Sequence, residues 1–405
     1  MKGFLKEALT PQMLVSFLMG FSCGLPLLLT ITVLQARMQE VGVDLKVIGL
    51  YSLVGLPYTL KFLWAPVMDR FTLPFLGRRR GWLLVFQILL TLAIAGLGFV
   101  NPKFSPVLCA AVAGLVTFFS ASQDIVVDAY RREDLTDREL GLGSSLYVNG
   151  YRVGMLAAGS GGLILADHIS FQQVYLVMAG LMLVGILTTL WAREPALEKG
   201  TPTTFREAVI GPFIEYFSRD GALLLLLFIL FYKIGDQMAT TMTMPFYLEL
   251  GFTKTEIGTV VKLFGFWATI SGGLVGGIIM LRLGIYRSLW IFGILQGLAT
   301  TGFAVLAHYG QPSLAGLAAV IAGENFSGGM GTAAYVAFMA ALTNKKFTAT
   351  QYALLSSLMG IPRVLASAPT GYAVELMGWV PFFLFCALAA VPGLVLLRMV
   401  GRQVD

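Results

Sequence analysis

The residues that invite chemistry in this chain are ionisable groups placed where water is scarce. Lys61, Asp124, Asp128, Arg152, Lys233, Asp236, Lys262, Glu324 and Arg363 all lie inside long apolar runs. A charge in such a setting is costly, so each needs a partner or a task. Asp124 and Asp128 are spaced i,i+4 and share one helix face, with Ser120 a turn further up. Arg131 and Arg132 follow Asp128 at i+3 and i+4. Two readings stand for the acids. One is a static ion-pair cluster; the other is a carboxylate that exchanges a proton as its surroundings alternate between wet and closed. No histidine lies deep in a run, so a proton relay would rest on Asp124, Asp128, Asp236 or Glu324. Asp124 leads, being deeper than Asp128 and further from the arginines. Lys233 and Asp236, at i,i+3, either neutralise each other or serve a ligand. Arg152 and Arg363 suit a substrate bearing carboxylates or phosphates, as does Lys61; the alternative is structural pairing with Asp124 or Glu324. Tyr151 and Trp267 offer faces for a sugar ring, although aromatic residues in such runs usually only pack.

The elements that must position these groups follow from composition. Hydrophobic residues make up 57% and charged residues 12% of the 405, with a mean hydropathy of +0.79. Soluble chains carry roughly 25% charged residues, so the solvent this composition suits is lipid. The expectation is an all-α, polytopic membrane protein, because continuous apolar runs satisfy their own backbone only as helices. Twelve windows qualify: 12–35, 46–68, 82–100, 106–129, 141–166, 171–192, 222–246, 257–281, 288–307, 312–340, 350–374 and 379–397. With the N-terminus inside, 19 of the 28 Lys and Arg residues fall on the cytoplasmic side, four outside and five within spans. That asymmetry predicts cytoplasmic termini. The net charge of +6 is spread over short loops, which argues against a nucleic-acid partner. Cys23, Cys109 and Cys386 lie in apolar runs, so neither a disulfide frame nor a metal site is expected. No cofactor is expected either.

Self-comparison divides the chain in two. SSLYVNGYRV from Ser144 parallels SSLMGIPRV from Ser356; LTDR from Leu135 parallels LTNK from Leu342; GVDLKVIG from Gly42 parallels GFTKTEIG from Gly251. The expected bodies are 1–192 and 222–405, two six-helix bundles in parallel orientation, joined by a cytoplasmic linker over 193–221. In the linker, Thr204 and Glu207 form a capping box, and Phe205, Val209, Phe213 and Phe217 mark one face of an interfacial helix that Pro212 should interrupt or bend. This arrangement resembles the major facilitator superfamily, which places its substrate site at mid-membrane between the halves. The loop APVMDRFTLPFLGRRRGW is similar to that superfamily's acidic–basic–glycine loop motif, with FTLPFL as an insertion. It assigns Asp69, Arg70, Arg78, Arg79, Arg80 and, with helix 4, Arg131 to a cytoplasmic gate.

Longer strings narrow the likeness. GLPLLLTITVLQARMQEVGVDLKVIGLYSLVGLPYTLKFLWAPVMDR, LPFLGRRRGW and SASQDIVVDAYRRE resemble AmpG-type muropeptide permeases, densely over residues 17–165 and more thinly beyond. The resemblance implies a proton-driven importer of anhydromuropeptides, sugar–peptide fragments of the cell wall, from periplasm to cytoplasm; a monomer in a bacterial inner membrane is expected. It also marks Gln123, Asp124, Asp128 and Arg131 as function-linked. The rivals are a carrier of another anionic metabolite such as an acyl-CoA or small peptide, a drug exporter, and a membrane-embedded transferase. No HxxxD, GxSxG or HExxH string occurs, which weighs against an enzyme.

Overall fold

A computed structural model describes residues 10–43, 47, 51–196, 202, 204–253, 256–359, 366 and 369–404. Every element assigned among them is helical. In chain order these are α1 (Pro11–Glu40), α2 (residues 51–70, in short pieces), α3 (Arg78–Phe99), α4 (Pro106–Asp134) and α5 (Asp137–Leu156, continuing to Ala166). Then come α6 (Phe171–Trp191), α7 (Phe205–Phe217), α8 (Ala222–Glu249), α9 (257–283), α10 (285–309) and α11 (Leu314–Ala341). The last three are α12 (Thr348–Leu358), α13 (Thr370–Met377) and α14 (Trp379–Gly401). Each of the twelve expected windows therefore holds helix among the described residues. Among the described residues, seven stretches are both long and apolar enough to cross a membrane, and one of them, Ile257–Tyr309, contains two windows. Two of the other windows fall short for a chemical reason. α5 carries Asp137, Arg138, Glu139 and Arg152, while α11 interleaves glycines with Glu324 and Asn325.

Three helices start alike. Gly77, Gly284 and Gly378 precede α3, α10 and α14 with φ of 87°, 77° and 78° and ψ of −168°, 168° and 171°. This backbone is closed to residues with a Cβ, so the chain reverses there on glycine alone. π-helical turns occur at Leu29–Val33 of α1, Ala157–Gly161 after α5, and Ile257–Phe264 of α9. Hydropathy is blind to such turns.

The chain forms two compact units. Unit 1 comprises residues up to Pro212 plus Ala340–Leu354; unit 2 comprises Phe213–Met339 and Leu355 onward. In unit 1, α1 and α5 meet backbone to backbone. A Cβ on Gly20 or Gly24 would stand 2.1 or 1.9 Å from the carbonyl oxygen of Tyr147 or Tyr151, and one on Gly150 or Gly154 would stand 2.0 or 2.2 Å from that of Phe17 or Phe21. Close crossing on small residues is how helices gain dispersion contacts in lipid. An apolar core of the same unit gathers Leu29, Ile94, Leu97, Tyr175 and Met178 from α1, α3 and α6. Unit 2 packs Phe246, Phe303 and Phe383 as its centre.

Two expectations for the linker meet the structure differently. The Glu207 N–H donates to the Thr204 hydroxyl at 3.1 Å, as a helix start requires. Pro212 does not interrupt α7, which runs unbroken from Phe205 to Phe217. The buried face is Ala208, Pro212 and Tyr216, so Phe205 and Phe217 are exposed apolar residues. Pro212 sits on the buried side, where its carbonyl accepts from the Gln351 side chain at 3.1 Å.

Candidate functional site

Unit 1 carries two charge clusters. The first is built where α2 ends and α3 begins. Asp69 is fully buried, and its Oδ1 accepts from the guanidiniums of Arg78 (3.0 Å) and Arg79 (2.8 Å). Its Oδ1 and Oδ2 also accept from the backbone N–H groups of Ala349 (3.2 Å) and Thr350 (2.8 Å), and the Thr350 hydroxyl donates at 2.7 Å. The carboxylate thus caps the start of α12, where orphan donors and the helix dipole favour an anion. Burial pushes the Asp69 carboxyl up, but Arg79, Arg78 and the Thr350 N–H outweigh it and hold it below the usual carboxylate range. Arg79 is bidentate to Glu133, with Nε and Nη2 at 2.9 and 2.6 Å, and donates to the Met68 carbonyl at 3.0 Å. Two acids and two bases close this cluster. Glu194 adds an anchor from beyond α6, accepting the backbone N–H groups of Arg79 (2.8 Å) and Arg80 (3.0 Å) at the first turn of α3.

The second cluster lies one to three turns deeper along α4. Arg131 pairs with Asp128 at 3.1 Å and lies over the Tyr147 ring at 4.2 Å and the Tyr352 ring at 5.5 Å. It also donates to the Tyr352 hydroxyl at 3.1 Å. Lys61 approaches Asp128 at 3.9 Å from α2, out of a short 3₁₀ turn (Lys61–Leu63) that rotates it inward. Asp124, 7% exposed, has an Oδ1 with no hydrogen-bond partner among the described residues. Lys61, Asp128 and Cys23 are close enough to act on it, and it acts in turn on Tyr58 and Tyr151. Gln123 ties α4 to α1 through Cys23 Sγ at 3.2 Å, leaving its own Oε1 unpaired among the described residues. Tyr58 donates to Ser120 at 2.9 Å. Arg152 is half-buried on α5 beside Tyr151.

Unit 2 gathers a third set on α8, α10 and α11. Lys233 pairs with Asp236 at 3.5 Å and donates to Gln296 Oε1 at 3.0 Å; Thr300, one turn along α10, stands 3.3 Å from both carboxylate oxygens of Glu324. Gln296 and Thr300 are missed by a search for charge because they are neutral; their one signal is polarity inside an otherwise apolar run. Glu133 stands within SASQDIVVDAYRRE with nothing in its spacing to give it a task, and Tyr147, Glu194 and Tyr352 carry no spacing signal at all.

Other expected residues stand apart. Arg70 lies over the Phe71 ring at 5.4 Å, and Arg80 donates to the carbonyls of Thr189 (2.9 Å) and Leu190 (2.8 Å) at the end of α6. Trp267 is 61% exposed and packs edge-on to Phe266. Arg363 lies outside the described residues.

A family model for the Major Facilitator Superfamily matches residues 13–367. The chain belongs to that superfamily. Major facilitator neighbours among solved structures agree in fold: the proton:xylose symporter XylE at TM-score 0.72 and 10% identity, covering 98% of this chain and 95% of that one. The transporter FucP in its outward conformation matches at TM-score 0.73 and 12% identity, covering 97% and 99%. In sequence, the chain is 47% identical to the anhydromuropeptide permease of Escherichia coli K12, over 97% of this chain and 80% of that one. It is 36% identical to a putative transporter AmpG 4 of Rickettsia conorii, over 96% of each. The AmpG-type resemblance therefore holds over nearly the whole chain, and this major facilitator protein is an integral membrane transporter.

Proposed function

We propose that the chain is a proton-coupled importer that carries anhydromuropeptides from periplasm to cytoplasm across a bacterial inner membrane. The observation that carries the reading is the 47% identity to the E. coli permease, which extends over 97% of this chain. The geometry of unit 1 supports it. Lys61, Arg131 and Arg152 supply fixed positive charge for the carboxylates of the peptide and muramyl groups, while Tyr58, Tyr147 and Tyr151 supply faces for a sugar ring. Residues 1–192 and 222–405 act as two six-helix halves around the pathway, in the manner of parallel repeats, and the chain works as a monomer. Vesicles containing the protein should concentrate labelled GlcNAc-anhydroMurNAc-tripeptide when an inward proton gradient is imposed. Arg152→Ala should weaken its binding by about 2–5 kcal/mol while the protein still reaches the membrane. No uptake by the native chain would defeat the substrate assignment; unchanged affinity in the variant would leave Arg152 structural.

The orientation has its own test. Reporters fused after Val404 and within 193–221 should both read cytoplasmic, because the Lys and Arg asymmetry favours that side. A periplasmic signal from either would overturn the twelve-span orientation.

A further inference from the structure

The two buried polar sets differ in charge balance. On α4, Asp124 and Asp128 face Lys61 and Arg131, two acids against two bases. In unit 2, Asp236 and Glu324 share Lys233 alone among the described residues. Around Glu324, α8 contributes Lys233, Asp236 and Tyr247, α10 contributes Gln296 and Thr300, and α14 contributes Cys386. Lys262 on α9 is exposed, and the hydroxyl and thiol are neutral. With both carboxylates ionised this set holds one net negative charge in a nearly closed site, where Glu324 is only 8% exposed. An uncompensated charge there is expensive, and one proton removes it.

The Thr300 hydroxyl makes the two states distinct. Its single hydrogen faces three acceptors: the Gln296 carbonyl at 3.0 Å and both Glu324 oxygens at 3.3 Å. When Glu324 is ionised, Thr300 donates to it. When Glu324 is protonated, Glu324 donates to Thr300 and Thr300 turns to the Gln296 carbonyl. The Gln296 side chain already holds Lys233, so one turn of α10 joins the two acids. We propose that Glu324, positioned by Thr300, is the exchangeable-proton site of this carrier, with Gln296 and Lys233 linking it to Asp236. The proton enters Glu324 from water and leaves to water on the other side. This rests on the proton-coupled reading above and moves the coupling acid from α4 to α11.

The test uses the full chain. In infrared difference spectra after a pH jump, the native protein should show a titrating carboxylic-acid carbonyl band that Glu324→Gln lacks. In reconstituted vesicles, Glu324→Gln should retain exchange of labelled GlcNAc-anhydroMurNAc-tripeptide but lose gradient-driven accumulation. Thr300→Val should move the pH profile of accumulation to more alkaline values by about half to one unit, since a hydroxyl bonds an ionised carboxylate more strongly than a neutral one. Thr300→Ser should restore it. A titrating band that survives in Glu324→Gln, or a Thr300→Val profile superimposed on the native one, overturns the proposal. Failure of the native protein to concentrate this probe, with the band still lost in Glu324→Gln, defeats the importer reading instead.

Discussion

Replacing Asp69 by Ala should abolish transport and lower the stability of the detergent-solubilised protein by about 3–5 kcal/mol, because it strands two buried guanidiniums. Arg78 and Arg79 are both nearly sealed from solvent, and Asp69 offsets half of their charge. The same substitution removes the acceptor for Ala349, Thr350 and the Thr350 hydroxyl at the start of α12. Asp69→Asn should fall between, keeping one oxygen for that helix start while losing the charge. The stabilisation has a defined pH sign. Asp69 titrates below its unfolded value, so its contribution is complete at neutral pH and fades only as pH falls through the acid range. Thermal unfolding of the three proteins at pH 7 decides the matter. An Asp69→Ala variant as stable as the native chain would show that the arginines find other partners.

The second large effect is steric. A Cβ on Gly150 would sit 2.0 Å from the Phe17 carbonyl oxygen, and backbone cannot step aside as a flexible side chain can. Gly150→Ala should therefore force α1 and α5 apart at a cost of about 3 kcal/mol or more, with little folded protein recovered. Gly114→Ala is the matched control. Its Cβ meets nothing within 4 Å, so helix propensity alone should leave the protein unchanged or slightly more stable. Equal recovery of the two variants would remove the close crossing from the account.

The helices were legible because long apolar runs leave the backbone no other choice in lipid. The loop cluster was half legible. Asp69 and the arginines stood in a recognisable string, but their acid counterpart Glu133 lies 54 residues from Arg79 and no local spacing joins them. Arg37, one of the four bases expected on the outer side, donates to the Leu97 and Gly98 carbonyls and so caps the end of α3. A search for charge also passes over Thr300, whose hydroxyl matters only once α10 and α11 are side by side. On α7, apolar spacing marks Phe205 and Phe217, which are exposed, but not the packed side, where small Ala208 is buried with Pro212 and Tyr216.

The docking of Ala340–Leu354 into unit 1 also sets a schedule for synthesis. Asp69 and Thr350 are 281 residues apart, so at about 5–20 residues per second the ribosome needs roughly 14–56 s to deliver the second after the first. Arg78, Arg79 and Glu133 arrive early in that interval and can neutralise one another, whereas the carboxylate oxygens meant for α12 must wait. A nascent chain halted before residue 340 would hold an N-terminal body whose charges balance but whose hydrogen bonds do not.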